Sequence, residues 1–284
     1  MSRKKVTILD IQKRKQTQTP ITMLTAYDFT SAILVDQTDI DIILVGDSLG
    51  MVMLGYPGTT QVTMDEMLHH CKAVARGTSN AFLVGDMPFM SYQPDVAEAV
   101  RNAGRFLKEA GMDCVKVEGG REIADTVRAI VRAGIPVMGH IGLTPQTVSQ
   151  LGGFRIQGKT AVAAQSLLED ALALQEAGCF AMVLEAIPAT VATQISQRLA
   201  IPTIGIGAGV GCDGQVLVYH DMLGLYDRLQ PRFVKEFGQI GKAITTAVQT
   251  YTEEVRSRQF PAEEHTYPMN EAEEAAFLAA VAGR

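Results

Sequence analysis

The feature that most constrains the fold is a repeat in which a short apolar run is followed by a longer stretch with helical spacing. The runs are rich in β-branched residues, and most of them end in glycine or an acid. Eight can be placed, at residues 21–27, 41–46, 82–86, 114–118, 136–140, 181–185, 203–207 and 216–220. Strands that alternate with helices form parallel sheets, because each parallel connection needs a crossover. The order of elements therefore predicts an α/β fold.

Helix boundary signals separate the predicted strands. Thr63 and Glu66 have the spacing of a capping box, and the helix that they begin is predicted to close at Gly77. Ala-Gly pairs at 110–111, 133–134 and 177–178 are typical of helix ends. Eight such units within about 250 residues favour a (β/α)8 TIM barrel. A doubly wound sheet is the alternative, but no G-x-G-x-x-G motif follows the first strand.

The domain organisation is predicted to be simple, because no linker rich in Pro, Gly or Ser divides the chain. We predict a single barrel domain over residues 1–262, with an extra helix before residue 21. Residues 263–284 are predicted to form a C-terminal tail that is helical, with an acidic start at 271–274. Basic clusters at 3–5 and 13–15 are interpreted as the solvated face of the N-terminal helix.

Composition excludes several classes of protein. With 47% apolar and 20% charged residues, the chain can form a compact core. A net charge of −6 argues against a nucleic-acid partner, and no apolar stretch approaches the length of a membrane span. The N-terminus lacks the apolar region of a secretory signal, and the four cysteines form no C-x-x-C pair. We therefore expect a cytoplasmic protein with reduced, mostly buried thiols.

Acidic side chains stand at the ends of predicted strands, where a TIM barrel carries its chemistry. Asp47, Asp86 and Glu118 follow three successive strands. Converging carboxylates repel one another unless a cation lies among them, and oxygen ligands suit Mg²⁺ better than zinc. We predict a metal site formed by these three acids. The alternative for each one is a helix cap or a salt bridge.

Three further strand-end residues are candidates for catalysis or binding. Glu185 has no cation beside it in the sequence and is predicted to be a general base, or else the N-cap of the helix that opens at Pro188. Lys116 lies on the same strand face as Glu118, where it could compensate an anionic substrate or pair with an acid. His140 could donate to a substrate oxygen or be a satisfied polar residue of the core.

Two other patterns are weaker indicators of a site. The pairs Asp65/His69 and Glu66/His70 have metal-like spacing, but they lie on a predicted outer helix and are interpreted as surface or interface contacts. Glycines at 205, 207 and 209 follow the seventh strand, where many barrels bind phosphate. That loop lacks the Lys, Ser or Thr that would complete a phosphate site.

Longer motifs carry a resemblance to a known family. They are LTAYD at 24–28, VGDSLGMVMLG at 45–55, GDMPFMSY at 85–92, VKVEG at 115–119, VMGHIGLTPQ at 137–146, LEAIP at 184–188 and PTIGIGAG at 202–209. On these motifs the chain resembles the ketopantoate hydroxymethyltransferase family. The resemblance implies a (β/α)8 barrel and the first committed step of pantothenate, and hence coenzyme A, synthesis. In that family 5,10-methylenetetrahydrofolate donates a one-carbon unit to 3-methyl-2-oxobutanoate, giving 2-dehydropantoate, and Mg²⁺ is required.

The resemblance also implies residue roles and an assembly state. It places Asp47, Asp86 and Glu118 at the metal, Ser48 and Lys116 at the oxo acid, and Glu185 as the proton acceptor. The predicted substrate-binding set therefore comprises Asp47, Ser48, Asp86, Lys116 and His140. The family forms homo-oligomers, which are decamers in bacteria. No family motif is found after about residue 263, so the resemblance says nothing of the tail.

The predicted mechanism is an enolate reaction. Mg²⁺ would stabilise the enolate charge, Glu185 would remove the C3 proton, and the carbon would attack the methylene carbon of the folate. One rival is a Mg²⁺-dependent barrel lyase or mutase acting on phosphorylated 2-oxo acids. Another is a barrel without activity that serves as a structural or binding subunit.

Overall fold

The computed structural model describes residues 3–228 and 231–283 of the chain. Eight parallel strands form a closed barrel, in which each strand pairs with the next in the chain and the last pairs with the first. The predicted (β/α)8 barrel is confirmed. The strands are β1 Ile21–Thr25, β2 Ile42–Val45, β3 Phe82–Asp86, β4 Cys114–Glu118, β5 Val137–Gly142, β6 Ala181–Glu185, β7 Thr203–Ile206 and β8 Gly214–Leu217.

The helices begin and end largely where the sequence signals them. Thr63 and Glu66 form the predicted capping box, with the Thr63 N–H donating to Glu66 Oε2 at 2.8 Å. Gly111 ends the fifth helix in the left-handed conformation at φ +72°. The helices that accompany the barrel are α1 Ile8–Gln16, α2 Phe29–Asp36, α3 Leu49–Val52, α4 Met64–Gly77, α5 Val96–Ala110, α6 Ala124–Arg132, α7 Ala161–Ala177, α8 Ala189–Arg198 and α9 Tyr219–Met222.

The last strand differs from the prediction. The sequence places it at 216–220, but β8 spans Gly214–Leu217 and the chain has entered α9 at Tyr219. A strand begins at Gly214 because its backbone lies against β1, where a Cβ would come within 2.4 Å of the Ile21 carbonyl oxygen. β5 also runs two residues further than predicted, to Gly142.

Alternate residues of the strands face the barrel interior and position the site. Because side chains of a strand alternate between its two faces, an apolar interior position is followed two residues later by another interior position. Along β4, Cys114 belongs to the inner apolar core, and Lys116 and Glu118 come next on the same face. Along β6, Val183 is followed in the same way by Glu185. The polar positions are therefore the last interior positions, at the C-terminal mouth of the barrel.

The N-terminal basic clusters are not simply a solvated face, as the sequence interpretation had it. Ile11 of α1 is fully buried in the inner core. Arg14 of the same helix pairs with the buried carboxylate of Asp41, and Lys15 Nζ lies 2.7 Å from Asp213 Oδ2. These contacts span long stretches of sequence, so the helix and its cations are anchored to the barrel.

The four cysteines are free, and Cys71, Cys114 and Cys179 are buried. The prediction of mostly buried thiols is confirmed. None of the helices within residues 3–228 and 231–283 combines the length and apolar character needed to cross a membrane.

The chain divides into two compact units, one ending at Phe237 and the other beginning at Gly238. The second unit contains α10 Ile240–Arg256, a 3-10 turn Glu263–His265 and α11 Glu271–Ala282. Aromatic rings of Tyr251, Phe260 and His265 are in contact within it. The predicted tail is helical, whereas the predicted domain boundary at 262/263 falls inside the second unit and stays a prediction.

Candidate active site

A cavity of about 650 Å³ opens at the C-terminal ends of the strands. All the predicted site residues line it. They are Asp47, Ser48, Asp86, Lys116, Glu118, His140 and Glu185. Polar side chains at its floor are almost completely buried, with exposed fractions of 1% for Asp86 and 2% for His140. Such groups are costly to bury unless they are paired, so their contacts define what the site can do.

The three predicted metal ligands lie together. Asp47, Asp86 and Glu118 each offer one carboxylate oxygen, and these oxygens lie within 4.8 Å of one another. Burial, followed by the charges of Asp86 and Glu118, raises the pKa of Asp47 well above its usual range. Burial likewise raises the pKa of Asp86. Mutual repulsion of this kind is relieved when a cation is bound among the oxygens.

Lys116 is the cation nearest to this cluster. Its Nζ lies 2.8 Å from Asp86 Oδ1 and 3.7 Å from Glu118 Oε1. Burial alone would lower the pKa of Lys116, but the charges of Asp86, Glu118 and Asp47 outweigh it and the pKa is raised. The salt-bridge alternative is therefore realised in the structure. Because Lys116 also lines the cavity, pairing with the acid does not remove it from the substrate side.

His140 connects the cluster to Glu185. Its Nδ1 lies 3.3 Å from Glu118 Oε1, and its Nε2 lies 3.2 Å from Glu185 Oε2. Burial and Lys116 would lower the pKa of His140, but the two carboxylates outweigh them and raise it to about 9. The raised pKa favours the protonated form of the imidazole. The cation that Glu185 lacks in the sequence is supplied by the neighbouring strand.

Glu185 stands at the end of β6 with about a sixth of its side chain exposed to the cavity. It does not cap the next helix, whose N-cap residue is Pro188, so the capping alternative is wrong. Ala186 follows at φ +48°, which is unusual for a residue other than glycine. This sharp turn ends the strand directly after the carboxylate and keeps Glu185 at the rim.

Ser48 lies beyond the end of β2, next to Asp47. Its hydroxyl is 2.9 Å from the hydroxyl of Tyr27, a buried residue that follows β1. Burial raises the pKa of Tyr27, so its hydroxyl is neutral and can donate. The pair places two hydroxyl groups beside the acid cluster.

Two buried residues of the site were missed by the sequence reasoning. Gln146 Nε2 donates to Asp47 Oδ2 at 2.9 Å, and its backbone N–H donates to Glu118 Oε2 at 3.1 Å. Gln146 Oε1 accepts from the Tyr92 hydroxyl at 2.8 Å. That hydroxyl also accepts from the Glu118 N–H at 2.9 Å. Both residues end motifs that were used for the family resemblance, and that position was the only available signal.

The two weaker patterns have structural explanations. Glu66 accepts from Thr63 and from the Tyr56 hydroxyl, and His70 Nδ1 lies 2.6 Å from the Tyr27 carbonyl oxygen. Gly207 packs under an aromatic ring, since a Cβ there would come within 2.6 Å of Phe233. Packing against Phe233 therefore explains why residue 207 is a glycine, and no phosphate is needed to explain it.

The fold and this cluster define an enzyme of the (β/α)8-barrel class with a candidate metal centre at the C-terminal mouth. The family profile described as ketopantoate hydroxymethyltransferase matches residues 5–263. The chain belongs to this family. It is 57% identical over 276 residues to the 3-methyl-2-oxobutanoate hydroxymethyltransferase of Nitratidesulfovibrio vulgaris, covering 97% of this chain and 90% of the relative. The enzyme of the same name from Heliobacterium modesticaldum is 57% identical over 268 residues, covering 94% of this chain and 97% of the relative.

Solved structures share the fold at low sequence identity. A phosphonopyruvate hydrolase superposes with a TM-score of 0.60 at 14% identity, covering 98% of this chain and 99% of its own. A 2,3-dimethylmalate lyase, described as a PEP mutase/isocitrate lyase superfamily member, superposes with a TM-score of 0.60 at 14% identity. The match covers 98% of this chain and 100% of the lyase chain. At this identity the likeness shows a common barrel architecture alone.

Proposed function

We propose that the chain transfers a hydroxymethyl group from 5,10-methylenetetrahydrofolate to 3-methyl-2-oxobutanoate, forming 2-dehydropantoate and tetrahydrofolate with uptake of water. The observation that carries the proposal is the contact between His140 and Glu185 beside the buried acid cluster. It brings a candidate base close to a candidate metal site within one cavity. The named relatives act on the same oxo acid according to their names.

The donor set fits Mg²⁺. Asp47, Asp86 and Glu118 provide only oxygen, the ligand type that this hard cation prefers. Their carboxylates repel one another, as the raised pKa of Asp47 indicates, and a bound cation would relieve that repulsion. When bound, the ion would supply Lewis-acid stabilisation of negative charge on the oxygens of the oxo acid. Ser48 and Lys116 would bind the carboxylate of that acid, one by a hydrogen bond and the other by its charge.

Glu185 is proposed to break the C3–H bond by accepting the proton. Water would add to the methylene carbon of the folate, and breaking both of its C–N bonds would release formaldehyde and tetrahydrofolate. The electron pair left on C3 would then form the new bond to the formaldehyde carbon, whose oxygen takes up a proton to become the hydroxyl. His140 would orient the base through the contact between its Nε2 and Glu185 Oε2, and it would donate to an oxygen of the substrate only when that contact opens. The apolar lining of the cavity would keep bulk water from the carbanion-like carbon.

The test is proton NMR of 3-methyl-2-oxobutanoate in D₂O with the protein and Mg²⁺. Loss of the C3 proton signal, abolished by EDTA, is the expected half-reaction, and 2-dehydropantoate should appear when tetrahydrofolate and formaldehyde are added. Glu185→Gln should keep binding of Mg²⁺ and oxo acid but lose most of the exchange. Exchange by this variant at the wild-type rate would remove Glu185 from the base role.

The rival activity has its own outcome in the same experiment. A lyase or mutase of phosphorylated 2-oxo acids would leave the C3 proton in place and would turn over a phosphorylated oxo acid without folate. The packing role of Gly207 removes one reason to expect a phosphate site. A protein that is folded but inert toward both substrates would support a binding subunit.

We also propose that the protein acts in the cytosol as a homo-oligomer, a decamer as in bacterial members of the family. The free cysteines fit a reducing compartment. Apolar side chains such as Leu9 and Val162 are 75% and 82% exposed on the barrel unit, as expected of surfaces that a second copy covers. Light scattering after size-exclusion chromatography would measure the number of copies.

A further inference from the structure

The cavity is larger than a small oxo acid needs. Its volume of about 650 Å³ lies in the range of roughly 300–1,000 Å³ that is typical of pockets for drug-sized ligands. The acid cluster, Lys116 and His140 occupy only its floor. A second ligand therefore has room above the floor, and the remaining lining residues indicate its chemistry.

One acidic residue of the lining stands apart from the cluster. Asp221 lies on α9, directly after β8. Within residues 3–228 and 231–283 its carboxylate has no hydrogen bond or ion pair, and burial is the one cause that raises its pKa, to about 6. The other four acids of the cavity are paired with Gln146, Lys116 or His140. An unpaired, half-buried carboxylate in a cleft is a candidate for ligand binding.

The position of Asp221 relates it to the reacting end of the cavity. Its charge adds to the rise in the pKa of Tyr27, whose hydroxyl contacts Ser48. Because β8 is adjacent to β1, Asp221 and Tyr27 belong to neighbouring strand ends of the closed barrel. A ligand held by Asp221 would therefore extend toward the substrate-binding floor.

Some walls of the same cavity suit a flat ring. Phe233 packs its ring against the backbone of Gly207, and Met51 and Leu217 also line the cavity. Two arginines, Arg155 and Arg232, line the cavity while remaining exposed, and neither has an ion pair in the described parts of the chain. A ligand that combines a planar polar ring with an anionic group matches these lining residues.

We infer that Asp221 binds the nitrogen-donor edge of the 2-amino-4-oxo pterin ring of the folate co-substrate. The inference rests on the proposed function and names the residue that holds its second substrate. The ring N–H and the exocyclic amino group lie side by side on that edge, so both can donate to the two oxygens of one carboxylate. Arg155 and Arg232, which line the cavity and are exposed, would then bind the glutamate carboxylates of the tail.

The first experiment compares Asp221→Asn and Asp221→Ala with the wild type by calorimetric titration of tetrahydrofolate. We expect the Kd for tetrahydrofolate to rise about 10- to 100-fold, because charge-assisted hydrogen bonds are lost. The C3 proton exchange of 3-methyl-2-oxobutanoate without folate should stay within about twofold, since Asp221 is outside the acid cluster. Asp227→Asn is the matched control, because Asp227 is exposed on the same segment and does not line the cavity.

A second measurement needs no variant. A 2-desamino-2-methyl analogue of tetrahydrofolate lacks the amino donor, so the wild type should bind it more weakly than tetrahydrofolate. Asp221→Ala should bind the two ligands equally. Equal binding of both ligands by the wild type, or unchanged tetrahydrofolate affinity in folded Asp221 variants, would overturn the inference. A wild type that neither exchanges the C3 proton nor binds tetrahydrofolate would instead refute the proposed function, and this inference with it.

Discussion

Replacing Gln146 with leucine tests whether an outer hydrogen-bond network holds the candidate metal ligands in place. Gln146 Nε2 donates to Asp47 Oδ2 and to the Met87 carbonyl oxygen, both at 2.9 Å, and Oε1 accepts from the Tyr92 hydroxyl. Gln146→Leu keeps a similar volume and removes these three contacts, together with the longer one in which Gln93 Nε2 donates to Gln146 Oε1 at 3.3 Å. The backbone N–H that donates to Glu118 is retained.

The expected magnitude follows from these contacts. A hydrogen bond to a charged acceptor contributes about 1.5–3 kcal/mol, and loss of a partner to a metal ligand typically weakens metal binding about 10- to 100-fold. At 1.4 kcal/mol per tenfold change, the two ranges agree. We expect the Kd for Mg²⁺ to rise about 10- to 100-fold. The buried Tyr92 hydroxyl and Met87 carbonyl also lose a partner, so the free energy of unfolding should fall by about 1–3 kcal/mol.

Isothermal titration of the metal-free protein with Mg²⁺ measures the affinity, and thermal unfolding without metal measures the stability. Gln150→Leu is the matched control, because Gln150 lies on the same loop with an exposed side chain. Tyr92→Phe should raise the Kd for Mg²⁺ by a smaller factor, since the hydrogen bond from Gln146 to Asp47 remains. Gln146→Leu could instead lower the melting temperature while its Kd for Mg²⁺ stays within threefold of the wild-type value. In that case Gln146 stabilises the fold but does not hold the metal ligands, and the reasoning is wrong.

Two further predictions concern pH and backbone packing. Burial raises the pKa of Asp221 from 3.8 to about 6, so its contribution to stability is complete below about pH 3.8 and is lost as the pH rises through about 6. Asp221→Asn should therefore flatten the pH dependence of the melting temperature across this window and melt higher than the wild type at pH 7; identical profiles would contradict this. Gly142→Ala should lower the free energy of unfolding by about 1–3 kcal/mol and slow C3 exchange, because a Cβ at this φ of +100° would come within 2.2 Å of the Glu185 carbonyl oxygen. Chemical denaturation and NMR exchange measure the two effects, and unchanged exchange would show that the end of β6 tolerates the shift.

The sequence predicted the barrel and most of its strand limits because the signals are local. Capping residues such as Thr63 and glycines such as Gly111 act within a few residues of themselves, and apolar runs report burial directly. β8 was misplaced because its start at Gly214 depends on contact with β1. A glycine carries no apolar signal for that contact.

The members of the site were predicted better than their partners. Asp86 and Glu118 stand at strand ends, and the architecture alone brings such positions to one mouth. The contact between Gln146 and Asp47 joins residues 99 positions apart, and no pattern in either segment encodes it. Arg14 and Lys15 appeared to be solvated cations for the same reason, since Asp41 and Asp213 are distant in the chain.

The sequence by itself determined the order of strands and helices, the residues that face the barrel interior and the acids that stand at the strand ends. The period-two alternation of a strand and the capping of a helix are properties of short segments, so they can be inferred without a fold. Only closure of the barrel decided the electrostatics. It put His140 between Glu118 and Glu185 and paired Lys116 with Asp86. Among residues 3–228 and 231–283, it left the carboxylate of Asp221 without a partner. Charge interactions depend on distance and burial, and both are set by how remote segments pack.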